Sequence, residues 1–303
     1  TLPFLLNIVQ PPTFIANSVD TYFIDEHPEL FQFQPSQNRA QKLLSYLGVK
    51  VNGAQTPLAT GLLPVYATPL GPNIKAGEKI PTGVHDVLLK EVPKGFAKAV
   101  RENKGHTITN MTFRDVHKSL LSTRIRAYDL AKISSFVVHT FNGLFSLDNW
   151  GDATFDVAMR FLHECPWKRL EILKMQIPNI SFQMVLRGAN RVGFSNSPDN
   201  VVYKFCDLAV KSGMDVFRVF DCLNYVPNFI FRIEAAAEVG GVVEAAISYT
   251  GDVPDPTKTK YNLPYFFNLT DQLTKDGADF LCTEDMAGVL KPDAPKILIG
   301  ALR

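Results

Sequence analysis

The feature that most constrains this chain is a repeated alternation of short apolar runs and helix-length amphipathic segments after residue 107. The predicted strands are 108–113, 143–150, 181–187, 215–220, 242–250 and 279–284. The helices predicted between them are 127–141, 154–163 with 167–176, 199–212, 227–239 and 263–276. Gly213, Gly240 and Gly277 stand where a helix should stop, each just before a strand. Strand–helix repetition with short loops predicts a parallel sheet with right-handed crossovers.

Charged residues at the ends of the predicted strands help to choose between two parallel-sheet folds. They are Arg114, Asp115, Arg187, Asp221 and Glu284, and they follow or end four different strands. A doubly wound open sheet concentrates its ligands at one switch point, whereas a barrel gathers side chains from several strand ends. The pattern therefore favours an α/β fold, a (β/α)8 TIM-type barrel truncated after about six β/α units.

The first third of the chain has a different character. Residues 36–47 have apolar positions at helical spacing, residues 53–82 are dense in Pro and Gly, and residues 84–103 predict a second amphipathic helix. We therefore expect three parts, which are a short α-rich segment at 1–35, a helix and linker at 36–83, and the incomplete barrel at 84–303. A helix predicted from Pro292 runs to the last residue, so we expect an internal piece of a longer protein.

Composition excludes several classes of function. Lys plus Arg is 31 and Asp plus Glu is 30, so nothing favours nucleic acid or an anionic membrane as a partner. The sequence has no apolar run long enough for a transmembrane helix. The four cysteines are scattered without CxxC spacing, which predicts reduced thiols in an intracellular protein. They are Cys165, Cys206, Cys222 and Cys282.

The strand-end residues indicate a chemistry, with alternatives. Carboxylates with a nearby histidine, His117, could hold a divalent metal that polarises a carbonyl oxygen and favours an enolate. An arginine fork suits a substrate carboxylate, so carbon–carbon bond chemistry on a small oxo acid is indicated. Equally, the charges could form a structural ion-pair network, and His117 a simple polar contact. Asp156 could be a first-turn acid favoured by the helix dipole, Asp285 a cap, and Cys222 a packing residue.

Several long motifs resemble the carboxyltransferase domain of the pyruvate carboxylase family. They are TFRDVHKSLLSTRIR, NWGDATFDVAMRFLHECPWKRL, FQMVLRGANRVGF, DVFRVFDCLNYVPN, GGVVEAAISYTGDV and EDMAGVLKP, in the family's order. Upstream, VDTYFIDEHPELFQFQPSQNRAQKLLSYLG resembles the end of the biotin carboxylase domain and the start of the connecting segment. The resemblance is closest to animal forms, which implies the mitochondrial matrix, with the cytoplasm as the alternative.

The resemblance implies a biotin-dependent ligase that carboxylates pyruvate to oxaloacetate. Carboxybiotin on a carrier domain would deliver the carboxyl group, a Mn or Zn ion would sit near the pyruvate enolate, and ATP and bicarbonate would serve the full-length, homo-oligomeric enzyme. The family pattern places Arg114 in the reaction pocket, Asp115 on the metal, Arg187 on pyruvate and Asp221 in the active site. It places Asp156 in the biotin pocket.

Six positions depart from the family pattern, and five of them have the smaller expected effects. Lys118 stands where the family has a substrate-contacting glutamine, and Phe194 where it has a tyrosine in the biotin pocket. Asp152 replaces a glycine, and Asn110 and Met111 replace an aspartate and a threonine. Loss of the tyrosine hydroxyl removes one hydrogen bond, about 1 kcal/mol net.

The departure with the largest expected effect is Glu284. The family has a metal-binding lysine there that becomes carbamylated, and glutamate carries a carboxylate on a shorter arm. Because metal sites tolerate about 0.2 Å of error, we expect the native ligand distance to be missed. The family's HxH metal ligands and a later threonine follow beyond residue 303, so the chain is expected to be inactive alone.

Three functions remain open from the sequence. The chain is a piece of a working pyruvate carboxylase-like enzyme, or a decayed, non-catalytic paralogue that associates with intact subunits. A weaker third alternative is an aldol-type lyase or decarboxylase subunit with the same barrel. The segment resembling a biotin carboxylase tail speaks against the third, while Lys118, Phe194 and Glu284 favour the second.

Overall fold

The computed structural model describes residues 2–20, 22–32, 74, 77–119, 125–193 and 195–303. The predicted helix at 36–47 and most of the predicted linker at 53–82 lie outside these residues. The chain divides into two compact units, Thr1–Leu70 and Gly71–Arg303. No helix in the described ranges is long and apolar enough to cross a bilayer.

The first unit is built from short helices in its described part. They are α1 (Leu2–Val9), α2 (Pro12–Ile15), α3 (Phe23–Glu26) and a 3-10 turn at Pro28–Phe31. Phe4 stacks on Phe31 with ring centroids 4.8 Å apart, and Asn7 Nδ2 donates to the Leu30 carbonyl at 2.9 Å. These contacts join the first helix to the final turn of the α-rich segment.

The second unit contains a curled sheet of six strands that are parallel and adjacent in sequence order. They are β1 (Thr109–Asn110), β2 (Ser146–Trp150), β3 (Ser181–Arg187), β4 (Val216–Asp221), β5 (Val242–Ser248) and β6 (Phe280–Glu284). A doubly wound sheet reverses its strand order at a switch point, and this sheet does not. The prediction of a TIM-type (β/α) barrel is confirmed for these six strands.

Helices precede, connect and follow the strands, and those between strands cover the outside of the sheet. They are α4 (Val84–Glu102), α5 (Thr112–Ser119), α6 (Ala127–Thr140), α7 (Asp152–Asp156), α8 (Pro166–Gln176), α9 (Asp199–Lys211), α10 (Val226–Glu238), α11 (Leu263–Lys275) and α12 (Asp293–Leu302). The apolar faces of α9, α10 and α11 bury Phe205, Phe229 and Phe266 against the sheet. All seven residues of β5 are buried, which explains why its sequence is apolar except at Glu244 and Ser248.

An aromatic cluster fixes the helices that follow β2. Trp150, at the end of β2, lies with its ring centroid 4.6 Å from Phe155 of α7, 4.8 Å from Trp167 of α8 and 5.8 Å from Phe205 of α9. Such offset and edge-on pairs stabilise beyond the apolar area that they bury. The cluster therefore holds α7, and the residues at its start, at a fixed place beside the carboxyl end of β2.

Helix α4 packs against the amino-terminal end of the sheet. Phe96 is fully buried and lies 5.7 Å from Phe145 and 5.9 Å from Phe280, ring centroid to ring centroid. The helix begins with the Gly83 N–H donating to Asp86 Oδ2 at 2.7 Å. It is kinked at Val92, whose φ of 52° is strained for a β-branched residue, because Pro93 disfavours helical geometry in the residue before it.

A buried charged group fixes the start of α4 to the sheet. His85 Nδ1 contacts the Pro178 carbonyl at 2.7 Å, and its Nε2 lies 3.1 Å from Asp215 Oδ1. Lys174 Nζ donates to Asp215 Oδ2 at 2.5 Å, and the Phe182 N–H donates to the same oxygen at 2.7 Å. Burial of Asp215 opposes ionisation, but the hydrogen bond from His85 and the charge of Lys174 hold its pKa below the usual range.

The structure differs most from the sequence prediction at three elements. Strand β1 is two residues long, because α5 begins at Thr112 inside the predicted strand 108–113. The predicted helix 154–163 is α7 followed by a π turn at Val157–Phe161. The predicted helix 84–103 is kinked at Val92.

Candidate active site

The carboxyl ends of the strands carry three of the predicted residues. Arg187 is the last residue of β3 and Glu284 the last residue of β6. Asp221 is the last residue of β4 rather than the first residue after it. Arg114 and Asp115 lie on helix α5 rather than directly after β1, because the first strand ends early.

Arg114 is held by an aspartate that the sequence analysis did not select. Its Nε donates to Asp148 Oδ2 at 2.8 Å, and the Asp148 side chain is fully buried in β2. Burial raises the pKa of Asp148 to about 6, although the charges of Arg114 and Arg218 act in the opposite direction. The pair orients the Arg114 guanidinium within the sheet interior.

Beneath the strand ends lies a second buried pair, Arg218 of β4 with Glu244 of β5. Arg218 Nε and Nη2 donate to the two carboxylate oxygens of Glu244, each at 3.2 Å. Gln183 of β3 also donates to Glu244, and it accepts a hydrogen bond from Ser146 of β2. Burial of Arg218 opposes its charge, but Glu244 raises its pKa above the usual value. A continuous set of polar contacts therefore crosses the interior from β2 to β5.

Glu284 joins this set from the last described strand. Its Oε1 lies 3.9 Å from Arg218 Nη1, and its side chain is 22% exposed. Burial raises the pKa of Glu284, and the charge of Arg218 acts against that rise. The glutamate is therefore a second anionic partner of a guanidinium already bonded to Glu244.

Arg187, the residue expected to bind pyruvate, is paired with Asp152, one of the residues that depart from the family pattern. Arg187 Nη1 donates to Asp152 Oδ2 at 2.9 Å, with side chains 37% and 14% exposed respectively. Asp152 is the first residue of α7, directly after Gly151 at the end of β2. The Arg187 backbone is fixed as well, since its N–H donates to the Arg191 carbonyl at 2.8 Å. The ion pair therefore joins the carboxyl ends of neighbouring strands.

Asp221 binds the loop that follows it. Its Oδ1 accepts hydrogen bonds from the Leu223 and Tyr225 N–H groups at 2.9 and 3.0 Å. Its Oδ2 accepts from Asn228 Nδ2 at 2.9 Å, on the first turn of α10. The carboxylate has the geometry of a turn and helix-start cap, and an active-site role stays a prediction.

The remaining predicted positions contribute less. Asp156 is half-buried and forms an ion pair with the exposed Arg160 one helical turn on, at 3.6 Å. Phe194 and the side chains of His117 and Lys118 lie outside the described residues. The suggested cap at Asp285 is confirmed, because its carboxylate accepts from the Val289 and Leu290 N–H groups at 2.9 Å each.

The cysteines are free thiols, as predicted. Burial raises the pKa of both Cys206 and Cys282 to about 12, so neither is a ready nucleophile.

The donor set decides how well the expected cofactors fit. Asp115 is exposed on α5, and Glu284 lies beside the Arg218 cation. Within the described ranges, no three His, Cys, Asp or Glu side chains are grouped to hold a metal ion. These residues alone do not fit a metal, and Asp156 with its Arg160 partner does not by itself form a biotin pocket. Metal binding at Asp115 and Glu284 stays a prediction.

Sequence reasoning missed the partners Asp148, Gln183, Arg218 and Glu244. All four lie within strands, two of them inside the apolar runs VFRVFD and VVEAAIS. A charged residue in the middle of a buried strand has to face either the core or the barrel interior. Charged residues within apolar runs of the sequence therefore could have been used to predict these buried partners. Nothing in the sequence predicts the contact of Asp152 with Arg187, apart from the presence of aspartate where the family has glycine.

The fold and the charged strand ends define the class, which is that of the (β/α)-barrel proteins with their polar site at the carboxyl ends of the strands. No protein-family model matches the chain. All 303 residues align with pyruvate carboxylase 1 of Caenorhabditis elegans at 65% identity and with human mitochondrial pyruvate carboxylase at 57%. The chain spans 26% of the length of each of these relatives.

Solved structures agree with the sequence relatives. The complete multifunctional pyruvate carboxylase of Rhizobium etli is 47% identical, with a TM-score of 0.74, over 100% of this chain and 28% of that one. The carboxyl transferase domain of that protein, solved with oxamate and biotin, is 46% identical, with a TM-score of 0.75, over 88% of this chain and 45% of that one. The chain is therefore homologous, over its whole length, to one internal region of the pyruvate carboxylases.

Proposed function

We propose that the chain is the oxo-acid-binding part of a biotin-dependent pyruvate carboxylase, acting in transfer of a carboxyl group to pyruvate. The observation that carries the proposal is Arg187, which ends β3 within a motif that resembles the family's pyruvate-binding segment. Alignment of 88% of the chain with the Rhizobium etli carboxyl transferase domain supports it.

The proposed roles follow from the positions of the side chains. Arg187 binds the carboxylate of pyruvate, because a guanidinium fork matches the geometry of a carboxylate. Arg114, oriented by Asp148, faces the sheet interior and stabilises negative charge that develops on the oxo acid. Glu284 and Asp115 are proposed as metal positions only together with further ligands, because the two alone do not fit a metal. Asp156 is the proposed contact to biotin.

The partners and cofactors of the proposed function belong to the longer protein. Biotin on a carrier domain would supply the carboxyl group, ATP and bicarbonate would support its loading, and a Mn or Zn ion would act as a Lewis acid near the oxo acid if further ligands joined Asp115 and Glu284. We propose a homo-oligomer in the mitochondrial matrix, by similarity to the mitochondrial relatives of mouse, rat and human. The chain alone is proposed to bind the oxo acid without turning it over.

Calorimetric titration of the purified chain with oxalate and pyruvate tests the proposal. We expect weak binding at one site, abolished by Arg187→Ala. The matched control is Arg126→Ala, which removes an exposed arginine paired with Asp129 on the outer surface. Binding that survives in the Arg187 variant would exclude the assignment. Metal content by mass spectrometry on the same samples tests the proposed ion.

A second candidate is a non-catalytic paralogue that associates with intact pyruvate carboxylase subunits. Two observations favour it, the pairing of Arg187 with Asp152 and the contact of Glu284 with Arg218. Size-exclusion chromatography with an intact carboxylase distinguishes this candidate, which requires co-elution and no oxo-acid binding in any variant.

A further inference from the structure

We propose that Asp152 is a built-in competitor of the substrate carboxylate, and that it sets the oxo-acid affinity of this chain by occupying Arg187. The proposal rests on the proposed function of Arg187. It assigns a specificity-determining role to a residue that departs from the family pattern.

The contact has the form that a bound carboxylate would take. Asp152 Oδ2 accepts from Arg187 Nη1 at 2.9 Å, a normal length for a charge-assisted hydrogen bond. The Asp152 side chain is 14% exposed and the Arg187 side chain 37% exposed, so the guanidinium remains open to solvent on one side. A small ligand therefore reaches the arginine, but it meets a carboxylate that is already there.

The position of Asp152 is fixed by its surroundings. It is the first residue of α7, whose Phe155 packs on Trp150 at 4.6 Å, and it follows the carboxyl end of β2. A carboxylate in the first helical turn also interacts favourably with the helix dipole. Asp152 is thus held beside Arg187 by packing rather than by a mobile loop.

Two effects lower the affinity for an oxo acid. The incoming carboxylate has to replace the Arg187–Asp152 hydrogen bond, and it also experiences repulsion from the negative charge of Asp152. The Arg187 side chain is 37% exposed, so solvent screens its interaction with Asp152. We therefore expect the affinity to be reduced roughly tenfold rather than a hundredfold. The repulsion acts more strongly on a dianion, so oxalate is affected more than pyruvate.

Calorimetry on the whole chain tests the inference with two variants. Asp152→Asn keeps the shape and removes the charge, while Asp152→Gly restores the family residue. Both are expected to bind pyruvate about tenfold more tightly than the unmodified chain, with a larger gain for oxalate. Adding Arg187→Ala to Asp152→Asn is expected to abolish the gain. Asp271→Asn, which removes one charge from an exposed pair with Lys275, is the matched control.

The outcomes separate the inference from the proposed function. Equal affinity in the unmodified chain and both Asp152 variants, lost with Arg187→Ala, overturns the inference and leaves the proposed function standing. No binding in any variant, or binding that survives Arg187→Ala, overturns both. Thermal melts establish whether each variant is folded. If Asp152→Asn does not fold, Asp152→Gly still tests the inference.

Discussion

Arg218 of β4 and Glu244 of β5 are register partners, and they share two hydrogen bonds of 3.2 Å with side chains only 10% and 11% exposed. The two charges therefore neutralise each other inside the sheet, where neither is well hydrated. A buried pair of this kind contributes little net stability, but removal of one partner leaves an uncompensated charge in the interior.

Glu244→Ala is expected to lower the free energy of unfolding by about 3 kcal/mol or more, because it removes the carboxylate that is hydrogen-bonded to Arg218 and leaves the more distant Glu284 and Asp148. Urea denaturation measures the change. Asp271→Ala, which breaks an exposed pair with Lys275, is expected to cost less than about 1 kcal/mol. A similar small cost for Glu244→Ala would contradict the buried-pair interpretation.

The stability of the chain should depend on pH through Asp148. Its pKa is about 6 in the fold and 3.8 in the reference state, so between these values the folded chain holds a proton that the unfolded chain has released. This contribution to stability is fully present below pH 4 and is lost as pH rises through 6, by roughly 3 kcal/mol.

The control for Asp148 is Asp148→Asn, which cannot titrate and still accepts a hydrogen bond from Arg114. The difference in unfolding free energy between the two chains, measured by urea titration at pH 4, 5, 6 and 7, should change steadily in favour of the asparagine variant. A constant difference across this range would show that the Asp148 carboxyl is not perturbed.

Glu284→Lys should make the fold sensitive to carbon dioxide. The new ammonium group lies beside Arg218, so we expect the free energy of unfolding to fall by about 2 kcal/mol in the absence of bicarbonate. The lysine amine can react with CO2, release a proton and become a carbamate, which restores a negative charge facing Arg218. Thermal melts with and without bicarbonate, and metal content by mass spectrometry, measure both consequences.

Bicarbonate is expected to raise the melting temperature and metal content of the lysine variant alone. Glu284→Gln is the matched control, since its amide cannot form a carbamate. If the lysine variant melts at the same temperature with and without bicarbonate, position 284 does not support that modification in this chain.

Asp221→Ala separates a structural role from a direct role in binding. The three hydrogen bonds to Leu223, Tyr225 and Asn228 would be lost, and we expect a decrease in unfolding free energy of about 2 kcal/mol. Oxalate affinity, measured by calorimetry, should change little compared with Arg187→Ala. Lost binding with unchanged stability would instead place Asp221 against the ligand.

The order and type of most elements followed from the sequence because apolar runs and helix-stopping glycines are local signals. Strands β3, β4 and β6 lie within one residue of their predicted bounds. The first strand was overestimated because residues 111–113 have an apolar pattern that fits both a strand and the first turn of a helix. Competition between two local conformations is decided by packing, and sequence periodicity alone does not contain that information.

The candidate site was only partly predictable for a different reason. The predicted parallel strands place Arg187 and Glu284 at the same edge of the sheet. They do not predict that each of these residues has an ionic partner. Those partners depend on the register between strands and on side-chain reach. Asp152 illustrates the limit, since its departure from the family pattern is visible in the sequence, while its contact with Arg187 depends on the three-dimensional fold.

The placement of α4 has a consequence for how the chain folds. His85 contacts Asp215, which lies 130 residues further along the sequence, and Phe96 contacts Phe145, just before β2, and Phe280, the first residue of β6. A helix made early along the chain therefore completes its packing only after most of the sheet exists. Contacts between distant segments slow folding, because loop closure precedes the stabilising contact. During synthesis, the apolar face of α4 has to remain uncovered until the strands that bury it have left the ribosome.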